Sequence, residues 1–267
     1  LSRAKEGKIT SGNANHIPRI FKGISNNGNW KGDYLFSSEA LFGELTKRKV
    51  VLERLVREGF KIVIILFIRD PVEHLISSHC QHVKRAGKVF GVDKLFESYN
   101  IPEKVRELIK IAQKMNHCEI RIINYSKCKR SLGRRFFLEL GVDDTGFISN
   151  NGSRVNRSLS LGEYYVQLWM NELLGCKCGS ILSDRFCDEL PNVESEMPAV
   201  DPDVLSEFLK KIKPSLERVN LLISKEEQYD IKQVSDYGNL IRPLDEEDVY
   251  LDLKQIRILF DAFREVV

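Results

Sequence analysis

Arg69, Asp70-Pro71 and Ser77 stand at fixed intervals in the stretch IRDPVEHLISSH, Ile68 to His79, and their types suit an anion. Arginine offers five N–H donors in a rigid fork that matches phosphate oxygens. Ser77 lies eight residues on, about two turns into a helix that opens at Pro71. In open parallel sheets, ligands sit off the carboxyl ends of the strands, which is where Arg69 would be. A helix start adds free backbone N–H groups and a favourable dipole. Asp70 as the cap puts a carboxylate there, so the anion is expected beside the helix, held by side chains. The plainer alternative is a solvated rim arginine followed by ordinary helix punctuation.

The elements that would position these groups follow from pattern. Arg69 ends seven unbroken apolar residues, Ile62 to Ile68 (IVIILFI). A run rich in Ile and Val, without polar alternation, predicts a central parallel strand covered on both faces. Asp70 caps a helix from Pro71 to Ala86, with Pro71 at a position where its missing donor does no harm. Upstream, Leu41, Leu45, Leu52, Leu55 and Val56 predict one helix from Glu39 to Phe60, capped by Ser37 or Ser38 and ended by Gly59. Ile101 to Met115 reads as a helix and Glu119 to Tyr125 as a strand. Lys127, Lys129, Arg130, Arg134 and Arg135 follow across a loop and helix. Charge runs of this kind are usually solvated faces.

Further on, Ser160 and Glu163 have the spacing of a capping box at the head of a helix to Leu174. Trp169 shares a face of that helix with Tyr165 and Leu173, which predicts a core position. Residues 175–200 read as a long loop or small insert. Residues 201–267 read as a helical portion packed on the core. Helices alternating with apolar strands predict an α/β fold, a three-layer core around a parallel sheet, in a single domain over 1–267.

Composition narrows the function. The net charge is +3, from 41 basic and 38 acidic side chains, too weak to make nucleic acid or an anionic membrane the main partner. No apolar run approaches a membrane span. The opening LSRAKEGKITSGN lacks the apolar core of a signal peptide, and a cytoplasmic location is expected. Of six cysteines, Cys176, Cys178 and Cys187 are poorly spaced for zinc, so free thiols in a reducing compartment are expected and no metal. His74, His79 and His82 are expected on the exterior of the Pro71–Ala86 helix, with His74 nearest the anion.

In these residues the chain resembles the sulfotransferases that use 3'-phosphoadenosine 5'-phosphosulfate. Their cofactor motif is a strand ending in Arg, a helix, and a Ser eight positions later, here Arg69 and Ser77 with Pro71 between. Lys127 after the second strand, Leu140-Gly141-Val142, and Val155-Asn156-Arg157-Ser158-Leu159-Ser160 with Glu163 look like bacterial, carbohydrate-modifying members. The resemblance covers residues 10–170 and implies a P-loop type of core. It implies sulfuryl transfer to a hydroxyl or amine of a carbohydrate or glycolipid acceptor, with no metal required. Arg69 and Ser77 would hold the 3'-phosphate, with Lys127 and Arg157 as further nucleotide contacts. Arg157 is read as a loop contact because an unpaired buried guanidinium is costly.

The base for the acceptor proton would be Glu39, with His16 second. Glu39 follows Ser37-Ser38, a stretch that resembles the corresponding one in the bacterial members; as a first-turn acid it would also simply favour the helix dipole. The family's Lys-Thr/Ser-rich loop for the 5'-phosphosulfate is missing. GKITSGN, residues 7–13, has its composition but neither a preceding apolar strand nor a suitable helix. The chain is therefore expected to begin after that loop. The alternative is a non-catalytic or partner-binding relative that lacks it.

Overall fold

The computed structural model describes residues 2–3, 8–9, 35–37, 39–47, 49–142, 157–175, 179–241 and 250–266. They divide into two compact units. The first takes Leu1–Ile68, Pro102–Tyr125 and Arg218–Glu227, the second Arg69–Ile101, Ser126–Glu217 and Gln228–Val267.

In the first unit, two short strands, β1 (Ser2–Arg3) and β2 (Lys8–Ile9), pair antiparallel. Helices α1 (Glu39–Lys47) and α2 (Lys49–Arg57) lie within the stretch predicted as helix, with residue 48 outside the described residues. The apolar run forms β3 (Ile62–Ile68), parallel to β4 (Cys118–Asn124) in the register Ile62 to Cys118 through Ile68 to Asn124. The start of the pair is tied by the Ile62 N–H donating to the His117 carbonyl at 2.7 Å. Between the strands in sequence, the helix Ile101–Gln113 places Leu108 and Ala112 against Leu52, Ile64 and Ile120. Alternate residues of β3 thereby enter a core. The others do not all follow: Val63 is 41% exposed and Phe67 38%.

This corrects the three-layer, P-loop type of core. Among the described residues the parallel sheet has two strands, and most of the chain is helical. The apolar pattern identified the two strands correctly, but sheet size needs more such runs. Past Asn124 the described sequence offers long amphipathic stretches at helical period instead. The P-loop reading falls with it.

The second unit is built on helices. In chain order α3 is Pro71–Ala86, α4 Asp93–Ser98, α5 the Ile101–Gln113 helix of the first unit, α6 Leu132–Glu139, α7 Leu161–Leu174, α8 Gly179–Glu189, α9 Pro202–Asn220 and α10 Leu253–Val266. Its apolar core joins Val83 of α3, Tyr164, Val166 and Met170 of α7, Leu182 and Phe186 of α8, and Ile258 and Ala262 of α10. The stretch 175–200 is thus no loop throughout; α8 lies in it with Leu182 and Phe186 fully buried. Trp169 is corrected too, being 57% exposed with Leu173 at 74%. The buried face of α7 runs through Tyr164, Gln167 and Asn171 and carries several polar contacts: Gln167 Nε2 donates to Asn171 Oδ1 at 2.8 Å, and Asn171 Nδ2 donates to the Val83 carbonyl at 2.9 Å.

The helix starts behave as their residues dictate. Asp70 accepts the Glu73 N–H at 3.0 Å, and α3 ends on Gly87 at φ 62°, the left-handed region glycine tolerates. Ser160 and Glu163 form the reciprocal capping box of α7. Gly162, in that first turn, is different in kind. A Cβ there would lie 2.2 Å from the Tyr250 carbonyl oxygen, so a backbone approaches where only hydrogen fits. Gly→Ala in a helix ordinarily gains about 1 kcal/mol. Here we expect Gly162→Ala to lose about 1–3 kcal/mol through overpacking, read as a lower urea midpoint. A raised midpoint would mean that the Tyr250 segment yields freely.

Candidate functional site

Arg69, directly after β3, donates from Nε to Glu73 Oε2 at 3.3 Å. Lys129, five residues after β4 ends, reaches the same oxygen at 2.7 Å. Two cations that follow neighbouring parallel strands in sequence therefore share one carboxylate, one helical turn into α3. Their side chains are 23% and 43% exposed, and that of Glu73 is 21% exposed. Ser77 follows Glu73 by one more turn on α3, half-buried and with no side-chain hydrogen bond among the described residues.

Beside this lies a buried carboxylate with different partners. Asp70 Oδ2 accepts the Tyr237 hydroxyl at 2.8 Å and pairs with Lys232 Nζ at 3.0 Å. Its own backbone N–H donates to Ser126 Oγ at 2.9 Å. Lys232 also stands over the Tyr237 ring, 5.0 Å from the centroid. Burial and then the charge of Asp70 push the Tyr237 phenol far up, so it stays a donor. Burial works against the Lys232 ammonium, but the hydrogen bond and charge of Asp70, with Glu73 and Asp230, outweigh it and raise its pKa. Tyr99 is raised well above a free phenol by burial, then by Tyr229 and Asp70, with Arg69 opposing. Its hydroxyl meets His74 Nδ1 at 3.1 Å. Lys127 pairs with Asp230 at 3.5 Å.

Of the sequence-predicted residues, Arg69 belongs to this cluster, and Lys127 joins it through the 228–237 segment. Ser77 shares the helix. His16 lies outside the described residues, as does the side chain of Glu39, whose backbone opens α1. Cys176, Cys178, Val155 and Asn156 lie outside as well. Glu73, Lys232, Tyr237 and Ser126 were not singled out. Glu73 was legible as the residue one turn after Arg69. Lys232 and Tyr237 sit more than 160 positions away, where no local pattern points back to Asp70.

Arg157 is corrected. Its side chain is fully buried, and all five donors are spent within the protein. Nε donates to the Leu190 carbonyl, Nη1 to Ser158 O and Glu163 Oε2, and Nη2 to Glu163 Oε1 and Phe186 O, at 2.6 to 3.0 Å. No donor remains for a nucleotide. Glu163 is saturated in turn by the Ser160 N–H and Gln255 Nε2. The cost that argued against burial is met by pairing.

The helix histidines also differ from expectation. His79 is fully buried, with Nε2 2.6 Å from the Tyr164 hydroxyl and the Phe90 ring tilted beside it. Burial, then the charge of His82, lowers its pKa to about 4. Cys80, also inward, is pushed up to about 12 by burial. Cys80, Cys118, Cys128 and Cys187 are free thiols. Among the described residues no group of three His, Cys, Asp or Glu is placed to hold a metal ion, and no helix is long and apolar enough to cross a membrane. Comparison with protein families, curated proteins and solved structures found no match in any of the three.

Two outcomes follow. Arg157→Met strands the buried Glu163 carboxylate and is expected to cost about 3–5 kcal/mol in denaturant titrations, with nucleotide affinity of the folded protein unchanged. Weaker nucleotide binding at unchanged stability would reinstate Arg157 as a ligand contact. His79 titrates near 6.5 when unfolded and about 4 when folded, so the unfolded state holds the extra proton between them. Stability is complete above that window and falls as pH drops through it, by roughly 3 kcal/mol in all. His79→Gln should flatten this slope in melts taken across the window; an unaltered slope would assign the acid sensitivity elsewhere.

Proposed function

We propose that the chain binds the 3'-phosphate of an adenine nucleotide beside the first turns of α3, and that it serves sulfuryl transfer from 3'-phosphoadenosine 5'-phosphosulfate to a hydroxyl or amine of a carbohydrate or glycolipid. The observation that carries the reading is the convergence of Arg69 and Lys129 on one carboxylate oxygen. Donors able to share a carboxylate oxygen can share a phosphate oxygen, with closely similar geometry. The uncommitted Ser77 hydroxyl, two turns from Arg69, supports the same assignment. The reading concerns the chemistry of this turn and does not use the P-loop core corrected above.

The donor set fits the 3'-phosphate end of the nucleotide. Arg69 and Lys129 would neutralise it, Ser77 would donate to it, and Lys127 stands near as a further cation held by Asp230. The co-substrate supplies the activated sulfuryl group; the residues described here bind and orient. Asp70 keeps Lys232 and Tyr237 for itself, and so acts as the fixed wall of the turn.

Calorimetric titration with 3'-phosphoadenosine 5'-phosphate tests the site. Arg69→Ala and Lys129→Ala should each weaken binding about 10- to 100-fold, the worth of a charge-assisted hydrogen bond. Equal affinity in wild type and Arg69→Ala would end the proposal and favour a partner-binding domain in which Arg69, Glu73 and Lys129 are a structural ion-pair cluster. Acceptor-dependent release of 3'-phosphoadenosine 5'-phosphate from the sulfated nucleotide, tested with an oligosaccharide, reads the transfer itself.

A further inference from the structure

Glu73 stands in the place that the proposed ligand needs. Its Oε2 atom takes both Arg69 Nε and Lys129 Nζ. Arg69 Nε has a single N–H, so an incoming anion cannot take it until this carboxylate leaves, and until then it shares the Lys129 ammonium with the carboxylate. Its backbone N–H, which completes the Asp70 cap, stays where it is whatever the side chain does. The side chain keeps enough exposure, 21%, for a rotamer change to carry it to water.

We infer that Glu73 is a tethered competitor for the anion site and makes it select dianionic phosphate monoesters over singly charged anions. This rests on the proposed 3'-phosphate site. The charges give the reason. Arg69, Lys127, Lys129 and Lys232 face Asp70, Glu73 and Asp230, four positive groups against three negative. A monoanion that displaces Glu73 restores the same balance and gains no charge. It also competes with a carboxylate held in place by the chain, whose effective concentration is on the order of millimolar or above. A phosphate monoester brings a second negative charge and completes the balance, while a phosphodiester or a sulfate ester does not. A free surface pair of lysine and arginine would show no such threshold.

The test compares adenosine 3'-phosphate with its 3'-methyl phosphodiester by calorimetry at about pH 8, where the monoester is dianionic because its second pKa is near 6. In wild type the monoester should bind at least about tenfold more tightly. Glu73→Gln keeps the side-chain shape and removes the charge. It should tighten the diester by about tenfold and close most of the gap. Glu73→Ala, which removes the acceptor, should act in the same direction; melting curves confirm that both variants fold.

Arg69→Ala separates the two claims. If it abolishes binding of both ligands while Glu73→Gln leaves their ratio unchanged, the competitor role is overturned and the anion site stands. If both Glu73 variants weaken both ligands equally, Glu73 positions Arg69 and does not compete, which also overturns the inference. If Arg69→Ala alters neither ligand's affinity, the site itself is lost.

Discussion

Asp70 is the charge that the second unit has to satisfy. Its side chain is 4% exposed, and an ionised carboxylate so placed is costly unless each oxygen finds donors. Oδ1 takes the N–H of Glu73 and thereby starts α3, while Oδ2 takes Tyr237 and Lys232. The backbone N–H of the same residue goes to Ser126. One position therefore ties together the residue after β3, the turn after β4 and a segment more than 160 residues later. Everything chemical nearby depends on that fixation: Arg69 precedes it by one residue, and Glu73 follows by one turn. Because Asp70 claims Lys232, Arg69 and Lys129 are left on Glu73, a carboxylate more open to exchange.

How much of this was legible depends on the range of the interaction that fixes each feature. The run from Ile62 to Gly87 was readable nearly to the residue, since an apolar strand, an Asp cap, Pro at the first helical position and a left-handed Gly are local signals. The capping box at Ser160 and Glu163 was local in the same sense. Sheet size was not readable, because strand pairing is a long-range outcome and helix–strand alternation is compatible with sheets of very different extent. The helix Gly179–Glu189 was hidden by flanking glycines and cysteines, although Ile181, Leu182 and Phe186 have helical spacing. Trp169 failed for a further reason: apolar residues at i and i+4 define a face, but only packing decides which face is buried.

A corrected fold does not by itself remove a site, since function lives in local constellations more than in architecture. The constellation at Arg69 needs a strand end, a capped helix and a second cation from the neighbouring strand's sequel. Arg69, Asp70, Glu73, Ser126 and Lys129 all belong to the second unit, and their contacts with one another make the constellation. The i to i+4 relation of Arg69 and Glu73 is set by α3 itself and does not depend on the size of the sheet.

Two arginine–glutamate pairs in this unit show what separates a scaffold from a site. Arg157 and Glu163 are both wholly shielded from solvent, and the carboxylate accepts four hydrogen bonds from three residues. Neither partner has a better alternative, so the pair fixes the entry to α7 and exchanges with nothing. Arg69 and Glu73 are each about one-fifth exposed, and they meet through one nitrogen and one oxygen. Water can receive either group when the other is taken, which lowers the cost of separation below that of a fully buried pair. The residue types are the same, and burial alone assigns one pair to stability and leaves the other open to exchange with an external anion.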